Sequence, residues 1–180
     1  TGFEIFMNKA GCAACHTVGE SSAFFSDNQF HDTGYGWMRE KSRQTPPEKT
    51  KISVTSDIAF YLDHNIITTV GLPPEADLGR YEVTEKPEDR WKFRTSSLRN
   101  IAITPPYMHD GGLSSLSEVI DFYDKGGSGH PLQDKRIHSL NLSRQEKIDL
   151  ENFLRSLTSR EVSCLIAEAR SDPPDNQIQD

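Results

Sequence analysis

The sequence is poor in apolar residues and has no long hydrophobic run. Hydrophobic types fill 34% of its 180 positions, whereas about 45–50% is usual for soluble domains when glycine is counted. No stretch reaches the roughly 18 consecutive apolar residues that a membrane span needs, so no membrane span is expected. The length suits one ordinary domain. The shortage of apolar side chains suggests that another group helps to fill the core.

Cysteine and positive charge are also scarce. The cysteines Cys12, Cys15 and Cys164 are an odd number, which argues against a disulfide framework. Lys and Arg number 20 against 27 Asp and Glu, and the net charge of −7 excludes nucleic acid and anionic membranes as expected partners. The sequence has no internal repeat with a period of about 20–50 residues, which excludes a solenoid.

Capping residues and hydrophobic spacing predict several helices. Residues 2–10 form a short helix that Gly11 ends. Ser115 and Ser143 are each followed by Glu three positions later, which is a capping box at a helix start. A further helix is expected over 161–170.

The remaining segments are expected to be mostly irregular. Residues 17–56 and 71–90 show no sustained period and are predicted as loops. Residues 57–70 are compatible with either a helix or an extended segment, and 91–104 with a mostly extended run. The end, 172–180, is predicted to be a frayed acidic tail.

The string Cys12-Ala13-Ala14-Cys15-His16 is a cofactor-binding motif. It is C-x-x-C-H, the attachment signature of a c-type haem. Two thiols at this spacing reach the two vinyl groups on one edge of the porphyrin, and the next histidine gives its imidazole to the iron. A zinc site would need a second cysteine pair, and only Cys164 remains. A thioredoxin-like motif would need a βαβ context, which the N-terminus lacks.

One covalent haem c is therefore the predicted cofactor, and it accounts for the apolar shortage by filling the core. Because this haem is attached outside the cytoplasm, the chain is expected to be exported to the periplasm. It begins at Thr1, and it is expected to be a fragment or a mature product whose signal peptide has been removed.

The residue pattern alone does not identify the second axial ligand of the iron. Met7 lies too close to the attachment site to reach the far face of the haem. Met108 lies in the rigid turn PPYMHDGG, and Tyr123 lies on the apolar face of the helix after Ser115. A thioether ligand raises the reduction potential, whereas a phenolate oxygen favours ferric iron. The candidates are Met38, Met108, Tyr123 and the histidines other than His16.

Four strings together resemble a known family. They are GCAACHTVG, FSDNQFHDTGYG, KFRTSSLRNIAITPPYMHDGGLSSLSEVIDFYDKGG and LNLSRQEKIDLENFLRSLT. Over residues 2–158 the chain resembles the C-terminal haem domain of bacterial dihaem cytochrome c peroxidases, and more closely the branch that includes MauG. The resemblance implies a mainly α, cytochrome c-like domain wrapped around one covalent haem, with long loops and little strand. Residues 1–160 would be this c-type cytochrome, and 161–180 a C-terminal helix and tail.

The resemblance also implies roles for individual residues. Cys12 and Cys15 would hold the haem, and His16 would be the proximal iron ligand. The distal position of the family, methionine in some members and tyrosine in MauG, falls on Tyr123, which leaves Met108 as the alternative.

Two further contacts follow from the same resemblance. The backbone carbonyls of Thr104 and Pro106 would bind a calcium ion, which prefers oxygen ligands. Arg99 would pair with a haem propionate, because a guanidinium suits a carboxylate.

The implied function is that of a peroxidase-type oxidoreductase. The domain would relay single electrons or oxidising equivalents to or from a second haem, which reacts with hydrogen peroxide in another domain or chain. An external electron donor or a protein substrate would complete the set of partners. The chain has one C-x-x-C-H rather than the family's two, so no catalytic residue is assigned to it. The alternative is a stand-alone monohaem electron carrier without peroxidase activity.

Three polar side chains are expected to have no functional role. Cys164 is expected to be a buried, inert thiol. His130 and His138 are expected to be solvated.

Overall fold

Helices dominate the part of the chain that the structure describes, which confirms the mainly α prediction. The computed structural model describes residues 1–44, 48–53, 59–63, 66 and 77–171. The helices are α1 (Gly2–Glu4), α2 (Tyr35–Gln44), α3 (Tyr81–Thr84), α4 (Leu116–Asp124), α5 (Arg144–Ser156) and α6 (Arg160–Ser171). The strands are β1 (Phe30–Asp32), β2 (Lys49–Ser53), β3 (Ala59–Asp63) and β4 (Lys92–Arg94). None of the described helices is both long and apolar enough to cross a bilayer.

The N-terminal helix begins and ends as its sequence predicts. Thr1 and Glu4 form a capping box at the start of α1. The helix continues as a π-helical turn over Ile5–Lys9, in which the Ala10 amide donates to the Ile5 carbonyl at 2.8 Å. Gly11 then takes a left-handed conformation, φ +61°, which ends the helix at little steric cost.

The described residues form two compact units, and the first contains the haem-attachment motif. This unit consists of Thr1–His31, Arg94–Gly127 and the chain from Lys135 onward. Phe6 is fully buried at its centre, with ring centroids 5.9 Å from Phe25 and 5.1 Å from Phe153. The other buried core residues are Ala10, Phe25, Tyr107, Leu116, Ile120, Leu142, Leu150 and Leu154.

The second unit consists of Asp32–Phe93 and Ser128–Asp134. It contains α2 and an antiparallel hairpin in which β2 pairs with β3, with Lys49 opposite Asp63. A separate two-stranded sheet joins β1 and β4.

The prediction of loops over 17–56 is wrong for α2 and for the short strands β1 and β2. The start of α2 is organised by side chains that accept from the backbone: Asp32 Oδ1 from the Gly34 amide at 2.8 Å, and Thr33 Oγ1 from the Tyr35 amide at 3.4 Å. The aromatic ring of Trp37 on α2 stacks on His130, with centroids 5.2 Å apart. The sequence of α2 has little apolar periodicity, and a packing partner so far along the chain could not be read from it.

The segments 57–70, 71–90 and 91–104 contain short regular elements. Of 57–70, the stretch Ala59–Asp63 is extended, and 71–90 includes the short helix α3. The extended prediction for 91–104 holds for β4, while Ile101–Ile103 form a 3₁₀ turn. The predictions for residues 45–47, 54–58, 64–65, 67–76 and 172–180 lie outside the described residues, and so does the axial candidate His64.

Two predictions about single side chains are wrong. His130 is buried, not solvated, because its Nε2 lies 2.7 Å from Asp32 Oδ2 and the two side chains are 2% and 3% exposed. Cys164 is exposed on α6, not buried. His138 is exposed, as predicted.

Candidate haem-attachment site

The attachment motif forms a tight turn directly after the N-terminal helix. Cys12–Ala14 make one 3₁₀ turn that begins at Gly11. The amides of Cys15 and His16 both donate to the Cys12 carbonyl, at 3.2 Å and 2.9 Å. This backbone geometry holds both cysteines and His16 in a single short loop.

His16 is oriented as a metal-binding imidazole would be. Its Nδ1 lies 2.9 Å from the Phe25 carbonyl oxygen, which can only accept, so Nδ1 carries the proton. Burial lowers the pKa of His16 and favours the neutral ring. The lone pair is therefore on Nε2. A carbonyl that fixes the tautomer in this way is the usual support of a histidine that ligates a metal.

The state of Cys12 argues against the redox and zinc alternatives. Burial raises the pKa of the Cys12 thiol to about 11, and its Sγ lies 3.7 Å from the Ala10 carbonyl oxygen. Reactive C-x-x-C pairs and zinc sites both need thiolates, which a lowered pKa provides. A thioether sulfur carries no charge and suits a buried position. The donor set of two cysteines and one neutral imidazole therefore fits a covalent haem.

Tyr123 lies within electrostatic reach of both attachment cysteines. It belongs to α4, whose start is fixed by the capping box of Ser115 and Glu118. Burial raises the pKa of Tyr123, and Cys12 and Cys15 raise it further. The fold thus brings the predicted distal residue close to the attachment loop from more than 100 positions away.

The other axial candidates have different surroundings, and one of them, His31, has a ligand atom within 4.8 Å of one of Cys15. Met108 is half-buried in a turn closed by the Tyr107 amide, which donates to the Leu113 carbonyl at 2.7 Å. Met38 lies in α2, within the second unit. His31 lies in β1 and its Nε2 is 2.8 Å from Asp27 Oδ2.

The residues implied for propionate and calcium contacts are exposed. Arg99 Nε donates to the Ala23 carbonyl at 2.9 Å, and its guanidinium lies 5.2 Å from the centre of the Phe25 ring. It therefore braces the segment that supplies the hydrogen-bond acceptor of His16. Thr104 and Pro106 are exposed before Tyr107. Their predicted roles stay predictions.

Sequence reasoning missed a second set of residues beside the attachment loop. Arg136 Nη2 donates to His31 Nδ1 at 2.7 Å, and Arg136 Nη1 donates to the Ala14 carbonyl at 3.3 Å. Arg136 lies more than 100 positions from both partners, and no motif marks it. His31 was considered only as an iron ligand.

Comparison with known proteins finds cytochrome c peroxidases and MauG proteins among the relatives of the chain. No family model matches the chain. The chain is 35% identical over 166 residues to cytochrome-c peroxidase IdrP2 of Denitromonas iodatirespirans, covering 90% of this chain and 40% of that protein. It is 30% identical over 169 residues to the methylamine utilization protein MauG of Methylorubrum extorquens, covering 93% and 36%.

Solved structures give the same result. A MauG-like protein associated with microbial copper homeostasis superposes with a TM-score of 0.64 at 29% identity, over 96% of this chain and 49% of that one. The diheme peroxidase BthA of Burkholderia thailandensis matches with a TM-score of 0.51 at 19% identity, over 88% and 42%, which supports the fold alone.

The class of protein follows from these relatives: the chain is related to haem oxidoreductases. More narrowly, it is a relative of the bacterial cytochrome c peroxidases and MauG proteins, which confirms the resemblance found in its motifs. The chain spans about two fifths of the length of the curated relatives it matches.

Proposed function

We propose that this chain is a haem c domain that relays single electrons or oxidising equivalents to or from a second haem. The observation that carries the proposal is the hydrogen bond between His16 Nδ1 and the Phe25 carbonyl, 2.9 Å long. It leaves Nε2 as the lone-pair atom of a buried imidazole, next to two cysteines at haem-attachment spacing. The bound haem would supply reversible one-electron chemistry.

In this proposal each residue of the loop has one task. Cys12 and Cys15 would hold the haem through thioethers, and His16 would bind its iron through Nε2. The rigid turn after Gly11 fixes the position of His16 relative to the two cysteines.

Tyr123 is the second residue that would hold the iron. The nearness of Tyr123 to Cys12 and Cys15 supports this choice. Burial and the two cysteines raise the pKa of its phenol, so the loss of the phenol proton would depend on the bound ferric iron. The helix α4 has firm ends, since the capping box at Ser115 begins it and Gly126 follows it with φ +86°. An anionic oxygen donor would favour the oxidised iron and lower the reduction potential. Met108, the alternative, would raise it.

Two peripheral contacts complete the proposed site. Only Nε of Arg99 is used by Ala23, so the terminal nitrogens of its guanidinium suit a haem propionate. The exposed carbonyls of Thr104 and Pro106 suit a calcium ion, which takes oxygen ligands.

The second haem, which would react with hydrogen peroxide, is assigned to another domain or partner chain in the periplasm. The names of the relatives, cytochrome-c peroxidase and MauG, support a peroxidase-type reaction for the assembled protein. An external electron donor or a protein substrate would exchange electrons with it. This chain would act as the relay.

Spectroscopy and voltammetry of the purified haem-loaded chain test the proposal. A relay domain should show six-coordinate, low-spin ferric haem, reversible one-electron voltammetry and no turnover of peroxide on its own. Five-coordinate haem that consumes peroxide rapidly would overturn the proposal, because the chain would then be the peroxide-reacting domain.

A stand-alone monohaem carrier is the second candidate, favoured by the single C-x-x-C-H. It would show a midpoint potential well above zero and a methionine-to-iron absorption band. The proposed relay should show neither.

A further inference from the structure

Three hydrogen-bonded side chains, those of Asp27, His31 and Arg136, lie beside the haem-attachment loop in the first unit. His31 Nε2 lies 2.8 Å from Asp27 Oδ2, and Arg136 Nη2 lies 2.7 Å from His31 Nδ1. The same guanidinium donates through Nη1 to the Ala14 carbonyl, 3.3 Å away. Ala14 is the residue before Cys15, so Arg136 contacts the attachment loop directly and, through His31, the segment that begins β1.

The two partners of His31 decide which of its ring nitrogens carries the proton. Arginine only donates and an ionised carboxylate only accepts, so His31 accepts at Nδ1 and donates from Nε2 to Asp27. The His31 and Asp27 side chains are 12% and 15% exposed. The hydrogen bond between His31 and Asp27 is thus partly desolvated and charge-assisted, which makes it stronger than a neutral one in water. Arg136 itself is exposed, so its contribution is the geometry of its two hydrogen bonds.

These side chains also lie near one of the attachment cysteines. A ligand atom of Cys15, one of Asp27 and one of His31 all lie within 4.8 Å of one another. Three such groups would resemble a metal site. However, both ring nitrogens of His31 are engaged, one by Arg136 and one by Asp27, so no lone pair of the imidazole points to a metal. The direct contact of these side chains with the attachment loop is the one between Arg136 and the Ala14 carbonyl, and it makes the arrangement a support for that loop.

We propose that Arg136 is a positioning residue, which acts through His31 and the Ala14 carbonyl to fix the orientation of Cys15 and His16 relative to the haem. This rests on the proposed haem function. The guanidinium fork is what suits it to the task, because its two terminal nitrogens reach two acceptors at once in one plane. A rotation of the loop would turn the His16 ring about its bond to iron, which changes the ferric spectrum.

Substitution of Arg136 in the haem-loaded protein tests the proposal. In Arg136→Ala we expect unchanged covalent haem content, a shifted midpoint potential and altered g-values of the low-spin ferric electron paramagnetic resonance spectrum. Arg144→Ala, which removes an exposed arginine of the same unit, is the matched control and should leave all three unchanged.

Arg136→Lys separates position from charge. A lysine keeps the positive charge but cannot bond His31 and Ala14 in the same forked geometry. The proposal predicts that this variant recovers most of the wild-type potential but retains altered g-values. A fully wild-type spectrum in Arg136→Lys would show that only the positive charge of Arg136 matters, and it would overturn the proposal.

The remaining outcomes are also decisive. A wild-type spectrum in Arg136→Ala, even with lower stability, would show a merely structural contact and overturn the inference while leaving the proposed function intact. A wild-type chain with no covalently bound haem would instead be a failure of the proposed function, and the two failures are told apart by the haem content of the wild-type protein.

Discussion

The Phe25 carbonyl and the His16 imidazole are joined by a hydrogen bond of 2.9 Å, and the Phe25 side chain is itself part of the core. Phe25 is 4% exposed and its ring packs edge-on against Phe6. The backbone of Phe25 is in the left-handed region, φ +56°, which turns its carbonyl out of the regular chain path. Hydrophobic packing of the Phe25 ring thus helps to fix the position of the carbonyl that orients His16.

Replacing Phe25 should therefore affect both stability and the haem spectrum. Truncation of a buried phenylalanine costs about 3–5 kcal/mol of the free energy of unfolding, and we expect Phe25→Ala to lose that much in urea unfolding. It should also broaden the low-spin ferric signal, because His16 loses a fixed acceptor. The neighbouring Phe24, which is 60% exposed, provides the control: Phe24→Ala should change neither quantity. Equal effects from the two variants would contradict the packing account.

The distal ligand can be tested by exchanging the two candidates. Tyr123→Phe removes the phenol oxygen with little change of shape, and we expect the low-spin ferric signal to give way to a five-coordinate, high-spin one. Met108→Leu should leave the spectrum unchanged. If Tyr123→Phe keeps the wild-type spectrum while Met108→Leu loses it, then the sulfur of Met108 is the ligand and the assignment to Tyr123 is wrong.

The link between the N-terminal helix and α5 should weaken in acid. Lys9 Nζ lies 2.7 Å from Glu146, whose pKa is lowered from 4.5 to about 2, chiefly by this contact and then by the Ser143 amide. A lowered pKa in the folded state means that Glu146 stabilises the fold above pH 4.5 and loses this contribution as the pH falls towards 2.

Glu146→Gln keeps the length of the side chain and much of the capping geometry but cannot titrate. The difference in urea midpoint between wild type and this variant should be largest near pH 6 and should shrink between pH 4.5 and 2. A difference that stays constant over this range, or grows in acid, would exclude the ion pair as its source.

The buried pair of the second unit should be costly to break. His130→Ala leaves the Asp32 carboxylate buried without its imidazole partner, which typically costs about 3–5 kcal/mol. Both tryptophans of the chain, Trp37 and Trp91, lie in this unit, so tryptophan fluorescence during urea unfolding measures its stability. The exposed His138 is the control, and His138→Ala should have no effect. A loss in His130→Ala no larger than in the control would contradict a structural role for the pair.

Local signals in the sequence predicted local structure well. The capping boxes at Ser115 and Ser143 and the left-handed Gly11 mark helix ends because they act on backbone groups within four residues. The attachment motif Cys12–His16 could be recognised for a similar reason, since its residue types and spacing lie within five positions. The choice of Tyr123 needed the family resemblance, because only the fold brings it to the cysteines.

What the sequence did not reveal depends on partners far along the chain. Trp37 of α2 stacks on His130. The buried His130 is hydrogen-bonded to Asp32, which is 98 positions away. Arg136 reaches Ala14 across 122 positions. Neither hydrophobic period nor motif spacing carries such information. Cys164 was misjudged because the apolar residues beside it do not pack over it.

The most direct test of the account is the intact mass of the purified, exported protein under denaturing conditions, after extraction with acidified acetone. We predict a mass equal to the polypeptide plus one haem, and a mass of the polypeptide alone when Cys12 and Cys15 are both replaced by alanine. A wild-type protein that releases all of its pigment, and whose mass equals that of the bare polypeptide, would contradict the covalent haem and with it the proposed function.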